Sequence, residues 1–335
     1  MNPSAFERIF GFPEASPEAV RSGLRVEGDC LVSAANGASR AFGRLEIPSL
    51  DELRGRVNEL RPSPRPGTCR EVVADARSLH ADPANAGALF QVASQFNLLE
   101  MCGPDETPEM GVSKYAGDPT QGPACALACF AGTVYRNYFV PLDGQVGQSA
   151  GRQVDCLADL GDALGDGGKR FWDMRNGYAL ATAKGLRDIR GILDSASEEE
   201  RDRLRGRLRV GIQWDCEVTL PGAGHRVSQV YGSALPVGYS PHPAGDWEPF
   251  ARLVLEASYE ACLCAAVLNA RASGNRVAYL TLLGGGVFGN ALAWILDAIA
   301  RAAEIHQAHG LDLRLVSHAR PNPGLRGWRG ITPRF

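Results

Sequence analysis

The chain has 335 residues, of which 44% are hydrophobic and 22% are charged, and its formal net charge is −3. These values describe a globular protein with room for one large domain or two modest ones. They exclude the strong positive charge typical of proteins that bind nucleic acid or anionic membranes. The nine cysteines form no C-x-x-C pair, and no run of about eighteen apolar residues occurs. We therefore expect a cytoplasmic protein with no metal site and no membrane span.

The first sixty residues contain short apolar alternations at 24–32 and 44–47, followed by a helical pattern over 50–60. The run RPSPRPG at 61–67 is the best candidate domain boundary, because proline and glycine break regular structure. We therefore assign residues 1–60 to an N-terminal extension and residues 68–325 to the main domain. The extension has two open interpretations, as extra strands on the main sheet or as an element that recognises the substrate.

Two strands are predicted next, at 71–74 and at 88–93. The following segment, 100–121, is rich in glycine, proline and acidic residues, and a long loop of this kind inside a compact domain is usually functional or mobile. A single buried helix of small residues is predicted over 123–135, and residues 144–168 are expected to be irregular.

The C-terminal half alternates between strand and helix patterns. Ser197 and Glu200 form a predicted capping box at the start of a charged helix, and Asp246 is predicted to cap a long apolar helix. The remaining predicted elements are strands at 209–218 and 226–237, a strand at 276–283, a helix at 290–308 and a strand at 311–316. Such alternation predicts an α/β protein with a layered sheet.

The glycine-rich stretch LLGGGVFGN at 282–290 fits the spacing G-x-G-x-x-G. Glycines let backbone N–H groups approach phosphate oxygens, and a helix that begins near Asn290 would add its positive end. A tight turn without any ligand explains the same pattern equally well. The stretch alone therefore leaves a phosphate cradle and a packing turn as alternatives.

A nicotinamide-dependent oxidoreductase is disfavoured for two reasons. A dinucleotide-binding fold requires an acidic residue about twenty positions later, at the end of the next strand. Here the next predicted strand ends in Val316, Ser317 and His318. Such a fold also needs several strands after the fingerprint, whereas only one is predicted.

Several segments together resemble macrodomains, which bind ADP-ribose. The stretch GGGVFGN at 284–290 is similar to their late diphosphate loop, and VADA at 73–76 is similar to the G-D step that ends an early strand. The segment VASQFN at 92–97 is a remote version of the V-N-A-A-N motif, and DPTQGPA at 118–124 takes the place of the glycine-rich turn. Two departures stand out: Ala74 replaces the glycine before the acid, and the first asparagine of the second motif is lost.

A divergent macrodomain subgroup is similar over roughly residues 70–320. The matching segments are QFNLLEM at 95–101, DPTQGPACA at 118–126, YRNYF at 135–139, SALPV at 233–237 and the glycine-rich stretch. That subgroup includes an effector-type hydrolase that removes ADP-ribose from arginine side chains, ubiquitin being one of its targets. The resemblance implies a macrodomain-like three-layer α/β/α fold with a mixed sheet and N-terminal and internal additions. It also implies ADP-ribose and ADP-ribosylated protein, ubiquitin among them, as partners, and no cofactor.

The resemblance further implies a set of residues that bind ADP-ribose. Asp75 would take the adenine amino group, Asn97 a hydroxyl of the distal ribose, and Gln121 the ribose or a phosphate, while Phe288 would pack on the distal ribose. The full set is Asp75, Asn97, Thr120, Gln121, Gly284, Gly285, Gly286, Val287, Phe288, Gly289 and Asn290. Both Asp75 and Asn97 have a structural alternative, as side chains that cap their own turns, and for Asp75 the adenine role is modestly favoured.

Removal of ADP-ribose from arginine breaks a glycosidic bond through an oxocarbenium-like transition state, which a nearby carboxylate stabilises. The acidic loop supplies the candidate catalytic residues, with Asp118 ranked first, followed by Glu109 and Glu100. An upstream acid is expected because Gln121 stands where macrodomains have an aspartate. The sequence thus predicts a hydrolase of N-glycosidic bonds. A binding module without turnover stays the alternative, because a phosphate cradle says nothing about hydrolysis.

The YRNYF segment allows a simpler, structural interpretation. We expect Tyr135 and Tyr138 to be buried in the core and Arg136 to be a surface charge.

Overall fold

The computed structural model describes residues 3–165, 169–326 and 328. The strands in these residues are β1 (Leu24–Glu27), β2 (Cys30–Ser33), β3 (Ser39–Ala41), β4 (Arg44–Glu46), β5 (Thr68–Val73), β6 (Leu89–Ala93), β7 (Pro141–Leu142), β8 (Gln145–Val146), β9 (Trp172–Arg175), β10 (Tyr178–Ala181), β11 (Gly211–Glu217), β12 (Arg226–Gly232), β13 (Val277–Leu280) and β14 (Asp312–Ser317). The helices are α1 (Ala5–Phe10), α2 (Pro17–Gly23), α3 (Leu50–Asn58), α4 (Ala76–Ala81), α5 (Gln121–Ala128), α6 (Phe130–Tyr138), α7 (Ala158–Leu164), α8 (Ala183–Ser195), α9 (Glu198–Gly206), α10 (Ala244–Ser273) and α11 (Leu292–Ile305).

The main sheet has seven strands in the order β4-β11-β12-β6-β13-β14-β5. The five strands from β12 to β5 run parallel to one another, whereas β11 is antiparallel to both β12 and β4. The parallel strands therefore all end at the same edge of the sheet. In open sheets of this kind, ligands bind outside the carboxyl ends of the strands.

Helices cover both faces of the main sheet. On one face α10 packs against the sheet and against α3, α8, α9 and α11, and on the other α5 and α6 contact β6 and β11. These three layers confirm the predicted α/β/α architecture with a mixed sheet. Helix α10 has the length and composition of a membrane-spanning helix, but 83% of its most apolar window is buried inside the protein, as in a central core helix.

Residues 1–60 contribute to both the main sheet and a second core. Strand β4 joins the sheet and α3 packs on α10, whereas β1, β2 and β3 form a separate three-stranded sheet. The first of the two interpretations left open by the sequence therefore holds for β4 only. Phe6 and Phe10 of α1 are fully buried in an apolar cluster with Phe130 of α6. Between α1 and α2, Glu14 accepts hydrogen bonds from the Tyr138 hydroxyl at 2.7 Å and from two backbone N–H groups, at 112 and 113.

The predicted single helix at 123–135 is wrong, because it is broken at Cys129. Thr219 inserts there: its N–H donates to the Ala128 carbonyl at 2.8 Å, and its hydroxyl accepts from the Phe130 N–H at 3.0 Å. A side chain that takes hydrogen bonds from the helical ladder in this way separates the helix into two.

Other predicted helix boundaries had mixed outcomes. The capping box of Ser197 and Glu200 is confirmed. Asp246 is not a cap, since α10 begins at Ala244 after Pro243. Its carboxylate lies in the first turn of α10, where the positive end of the helix dipole interacts favourably with a negative charge. Residues 144–168 are not wholly irregular, because they contain β8 and α7; positions 166–168 lie outside the described residues.

Candidate functional site

A cleft runs along the carboxyl edge of the parallel strands and consists of two adjoining cavities. The β5–β14 cavity, with a volume of ≈ 530 Å³, lies over the ends of those strands and has Asp75 and His318 in its wall. The glycine-loop cavity, with a volume of ≈ 320 Å³, lies between Glu100 and the loop at 284–288. The wall that both share consists of Thr120, Gln121, Thr281 and Leu282.

Asp75 follows β5. Its side chain caps α4 and also faces the cleft. Its Oδ1 accepts hydrogen bonds from the N–H groups of Arg77 and Ser78, at 2.8 and 3.2 Å, at the start of α4. Its Oδ2 lies 3.8 Å from Nε2 of His318. The capping interpretation is therefore correct, and it leaves one carboxylate oxygen available to a ligand.

Thr120 and Gln121 lie in the middle of the cleft, where α5 begins. The side-chain amide of Gln121 accepts from the Ala93 N–H at 3.3 Å and donates to the Gln91 carbonyl at 3.1 Å. It thereby fastens α5 to β6. Thr120 is exposed, and its N–H donates to Oδ1 of Asp118 at 2.8 Å.

The glycine loop is shaped by Gly284 and Asn290. Gly284 has a φ of 74°, and a Cβ on it would lie 2.4 Å from that of Ala234, so only glycine fits there without strain. Asn290 is 4% exposed. Its side chain donates to the Leu235 carbonyl at 2.8 Å, and its N–H donates to the Gly284 carbonyl at 2.9 Å. These two residues hold the turn, and α11 begins only at Leu292, later than predicted.

Three consecutive backbone N–H groups of this loop, at 286–288, lie beside a cavity. Gly286, Val287 and Phe288 all line the glycine-loop cavity, and no acceptor in the described part of the chain takes their N–H groups. Successive unpaired N–H groups attract anions because their dipoles add. An anion cradle, one of the two alternatives that the sequence left open, requires such N–H groups beside a cavity.

Glu100 lies at the end of the glycine-loop cavity and is only 2% exposed. Neither of its carboxylate oxygens has a hydrogen-bond partner among the residues that the structure describes. Burial raises the pKa of Glu100 to about 8, against the opposing effect of the Arg136 charge. The carboxyl is therefore mostly protonated at neutral pH when the cleft is empty.

The backbone around Glu100 is fixed from two sides. The Glu100 N–H donates to the hydroxyl of Tyr115 at 3.1 Å. On the other side, a Cβ on Gly122 would lie 2.1 Å from the Ala93 carbonyl and 3.4 Å from Cγ of Glu100. Because Gly122 has no side chain, the first turn of α5 can lie directly against this carboxyl.

An aromatic wall closes the same end of the cleft. The rings of Tyr178, Tyr239 and Phe288 have centroids 5.2 to 5.6 Å apart, and all three line the glycine-loop cavity. The Tyr178 hydroxyl donates to the Met101 carbonyl at 2.8 Å. Sequence reasoning missed both tyrosines, because β10 carries no motif and Tyr239 lies two residues beyond the matching segment at 233–237.

The other two catalytic candidates differ in position. Asp118 is half-buried and lines the glycine-loop cavity, with Oδ2 3.8 Å from Sγ of Cys102. Glu109 is exposed and accepts a hydrogen bond from the Ala150 N–H at 2.8 Å, and it is not among the residues that line either cavity. The structure thus brings Asp118 and Glu100 together and leaves Glu109 outside.

Asn97 is fully buried behind the cleft wall. Its Oδ1 accepts from the Leu99 N–H at 3.1 Å, and its Nδ2 donates to Gln153 at 2.8 Å. The structure therefore shows the turn-capping role that the sequence left as an alternative. Neither cavity is lined by Gly285, Gly289 or Asn290, although the sequence predicts that they bind the ligand.

Arg136 was predicted at the surface, and this prediction is wrong. Its side chain is 0% exposed and approaches Glu100, with Nη2 3.7 Å from Oε1. Tyr138 is buried as expected, and Tyr135 is half-buried and stacks on Phe42.

No family model matches the sequence, and no curated protein matches it. Among solved structures, the poly(ADP-ribose) glycohydrolase from Deinococcus radiodurans in complex with ADP-ribose is similar with a TM-score of 0.46 and 12% identity, over 86% of this chain and 92% of that chain. The poly(ADP-ribose) glycohydrolase from Thermomonospora curvata is similar with a TM-score of 0.44 and 14% identity, over 95% of this chain and 96% of that chain. These likenesses concern overall architecture, and the function proposed below is supported by the cleft itself.

Proposed function

We propose that this protein is an ADP-ribosylhydrolase that releases ADP-ribose from modified side chains, with ADP-ribosyl-arginine as its substrate. One observation supports this most: a single cleft joins a carboxylate, a row of N–H groups and a buried carboxyl, and neither the N–H groups nor the buried carboxyl has a hydrogen-bond partner among the described residues. These are Asp75, the backbone at 286–288, and Glu100.

The chemistry of the cleft matches ADP-ribose from end to end. The free Oδ2 of Asp75 can accept from the adenine amino group. The N–H groups at 286–288 can donate to the diphosphate, which carries the negative charge that such a cradle favours. The distal ribose then reaches the aromatic wall and lies beside Glu100.

Hydrolysis at this position breaks the bond between C1 of the distal ribose and a guanidinium nitrogen. The leaving group departs as a neutral guanidine while water attacks the oxocarbenium-like carbon. Glu100, as a carboxylate, takes the proton from this water and passes it to the guanidine. A bound guanidinium favours that ionised form, because a nearby positive charge lowers the pKa of a carboxyl.

Arginine as the linked side chain fits the mouth of the glycine-loop cavity. Asp118 lies in its wall. Carboxylates bind a guanidinium with charge-assisted hydrogen bonds, and the faces of Tyr178 and Tyr239 can add cation–π attraction. Ubiquitin, which the sequence resemblance implies, is the first protein carrier to test.

The test is incubation of the full chain with protein ADP-ribosylated on arginine, with released ADP-ribose measured by mass spectrometry. Serine-linked and glutamate-linked substrates and poly(ADP-ribose) run in parallel. We expect release from arginine, and we expect Glu100→Gln to lower kcat by about 10²-fold or more with little change in the Kd for ADP-ribose. Glu109→Gln is the matched control, because that acid lies outside the cleft, and it should retain full activity.

Three other outcomes would contradict parts of the proposal. Release only from the other linkages would refute arginine specificity. Full activity of Glu100→Gln would refute the assigned base. Tight ADP-ribose binding without release from any substrate would instead establish a binding module.

A further inference from the structure

Arg136 is a cation buried within the protein, at 0% exposure, on α6. Its Nε donates to the Leu98 carbonyl at 3.0 Å and its Nη2 to the hydroxyl of Thr133 at 3.2 Å. Its guanidinium lies 3.6 Å above the ring of Tyr231. Nη1 has no partner within the part of the chain that the structure describes. A buried charge with this incomplete set of partners is costly unless an opposite charge offsets it.

Glu100 is the carboxyl that faces this guanidinium. Nη2 of Arg136 and Oε1 of Glu100 are 3.7 Å apart, beyond hydrogen-bond distance, and the side chains are 0% and 1% exposed. Arg136 itself is not among the residues lining the cleft. It therefore faces Glu100 from behind and acts on the substrate only through that carboxyl.

Asp118 lines the same cavity as Glu100 but is an acid and supplies no positive charge, and three further titratable groups close to Glu100 are uncharged near neutral pH. They come from three different elements: Tyr115 from the turn before α5, Cys125 from α5, and Tyr231 from β12. Burial raises the pKa of each of these groups. Among the described residues, Arg136 is thus the charge next to Glu100 that can compensate a buried carboxylate.

We propose that Arg136 is a positioning residue that makes Glu100 ionisable during turnover, by supplying the positive charge that the carboxylate needs after it loses its proton. This role rests on the proposed function, in which Glu100 is the general base. The contact with the Leu98 carbonyl, two residues before Glu100, additionally holds the backbone of the base in place.

The main test uses Arg136→Gln, which keeps a donor but removes the charge, and Arg136→Lys, which keeps the charge. The readout is kcat/KM for ADP-ribose release between pH 5.5 and 10, alongside ADP-ribose binding. In Arg136→Gln we expect the rising limb to move up by at least about one pH unit, with a loss of roughly tenfold or more at pH 7 that is recovered at high pH. Arg136→Lys should keep the limb near its original pH, and both variants should bind ADP-ribose normally.

A loss of kcat that is equal at every pH, with the limb unmoved, would overturn the proposal, because a purely structural role predicts it. Thr133→Val covers the case in which Arg136→Gln does not fold. That variant leaves Arg136 in place and frees its Nη2 for Glu100, so the limb should move to lower pH, and an unmoved limb would count against the coupling.

A failure of the proposed function can be distinguished from a failure of the coupling between Arg136 and Glu100. If the unaltered protein hydrolyses no substrate, the side-chain carbon of Glu100 can still be titrated by NMR in the unaltered protein and in Thr133→Val. A lower pKa in the variant supports the coupling of the two residues, and equal values refute it.

Discussion

Replacing Glu100 by glutamine should lower kcat by about 10²-fold or more and at the same time stabilise the protein at alkaline pH. Burial raises the pKa of Glu100 from its ordinary 4.5 to about 8 in the folded protein. Between these two pH values the folded chain holds a proton that the unfolded chain has released. Stability is therefore lost as the pH rises through this window, and the loss is complete above pH 8.

The size of the effect follows from the width of the window. Each pH unit between 4.5 and 8 removes about 1.4 kcal/mol, which gives a loss of roughly 3 kcal/mol at pH 7 and about 5 kcal/mol at pH 9. Relaxation around the carboxylate reduces these upper bounds. Glutamine has a similar shape and does not ionise, so we expect Glu100→Gln to be at least about 2 kcal/mol more stable than the unaltered protein at pH 9.

The measurement is urea unfolding followed by circular dichroism at pH 5, 7 and 9, with midpoints and slopes fitted together. Glu109→Gln is the control, because Glu109 is exposed, and its stability should follow that of the unaltered protein at each pH. If Glu100→Gln also follows the unaltered protein from pH 5 to pH 9, the carboxyl is not the buried, unpaired group described above. That result would contradict the raised pKa on which the assignment of Glu100 as the base depends.

Three further predictions concern the same cleft. The kcat/KM for ADP-ribose release should rise with pH through about 8, where Glu100 ionises in the free protein; a profile that falls there would make Glu100 an acid instead. Gly286→Val should leave the unfolding midpoint unchanged, because a Cβ there meets open space, and should weaken ADP-ribose binding in calorimetry by at least about tenfold by filling the cradle. Gly284→Ala should instead cost roughly 1–3 kcal/mol of stability because of its φ of 74° and its clash with Ala234. Equal destabilisation by both glycine substitutions would contradict this distinction.

The layer architecture could be predicted from the sequence because it depends on local patterns. Alternating strand and helix periods indicate parallel strands, and the capping box of Ser197 needs only Glu200, three residues away. The break at Cys129 could not be predicted in this way. It depends on Thr219, about ninety residues later, and no local pattern carries that contact.

In the candidate site, too, the features that depend on neighbouring residues could be predicted and those that depend on distant contacts could not. The cradle at 286–288 is built from consecutive residues, so its glycine spacing was visible in the sequence. The burial of Glu100 is not visible in the sequence, because it depends on Tyr115 and Arg136, which approach from other elements. The aromatic wall is assembled from β10, the turn before α10 and the glycine loop, and no spacing along the chain connects them.

The contacts of Glu14 cannot form until residues far along the chain have been synthesised. Glu14 emerges from the ribosome early, but its partners, the Val112 N–H and the Tyr138 hydroxyl, lie 98 and 124 residues further along. The backbone at 112–113 leads directly to Tyr115, whose hydroxyl holds Glu100. The start of the chain can therefore brace the acidic loop only once α6 has been synthesised, and the reactive end of the cleft, whose wall includes Phe288, is complete only when most of the chain has been made.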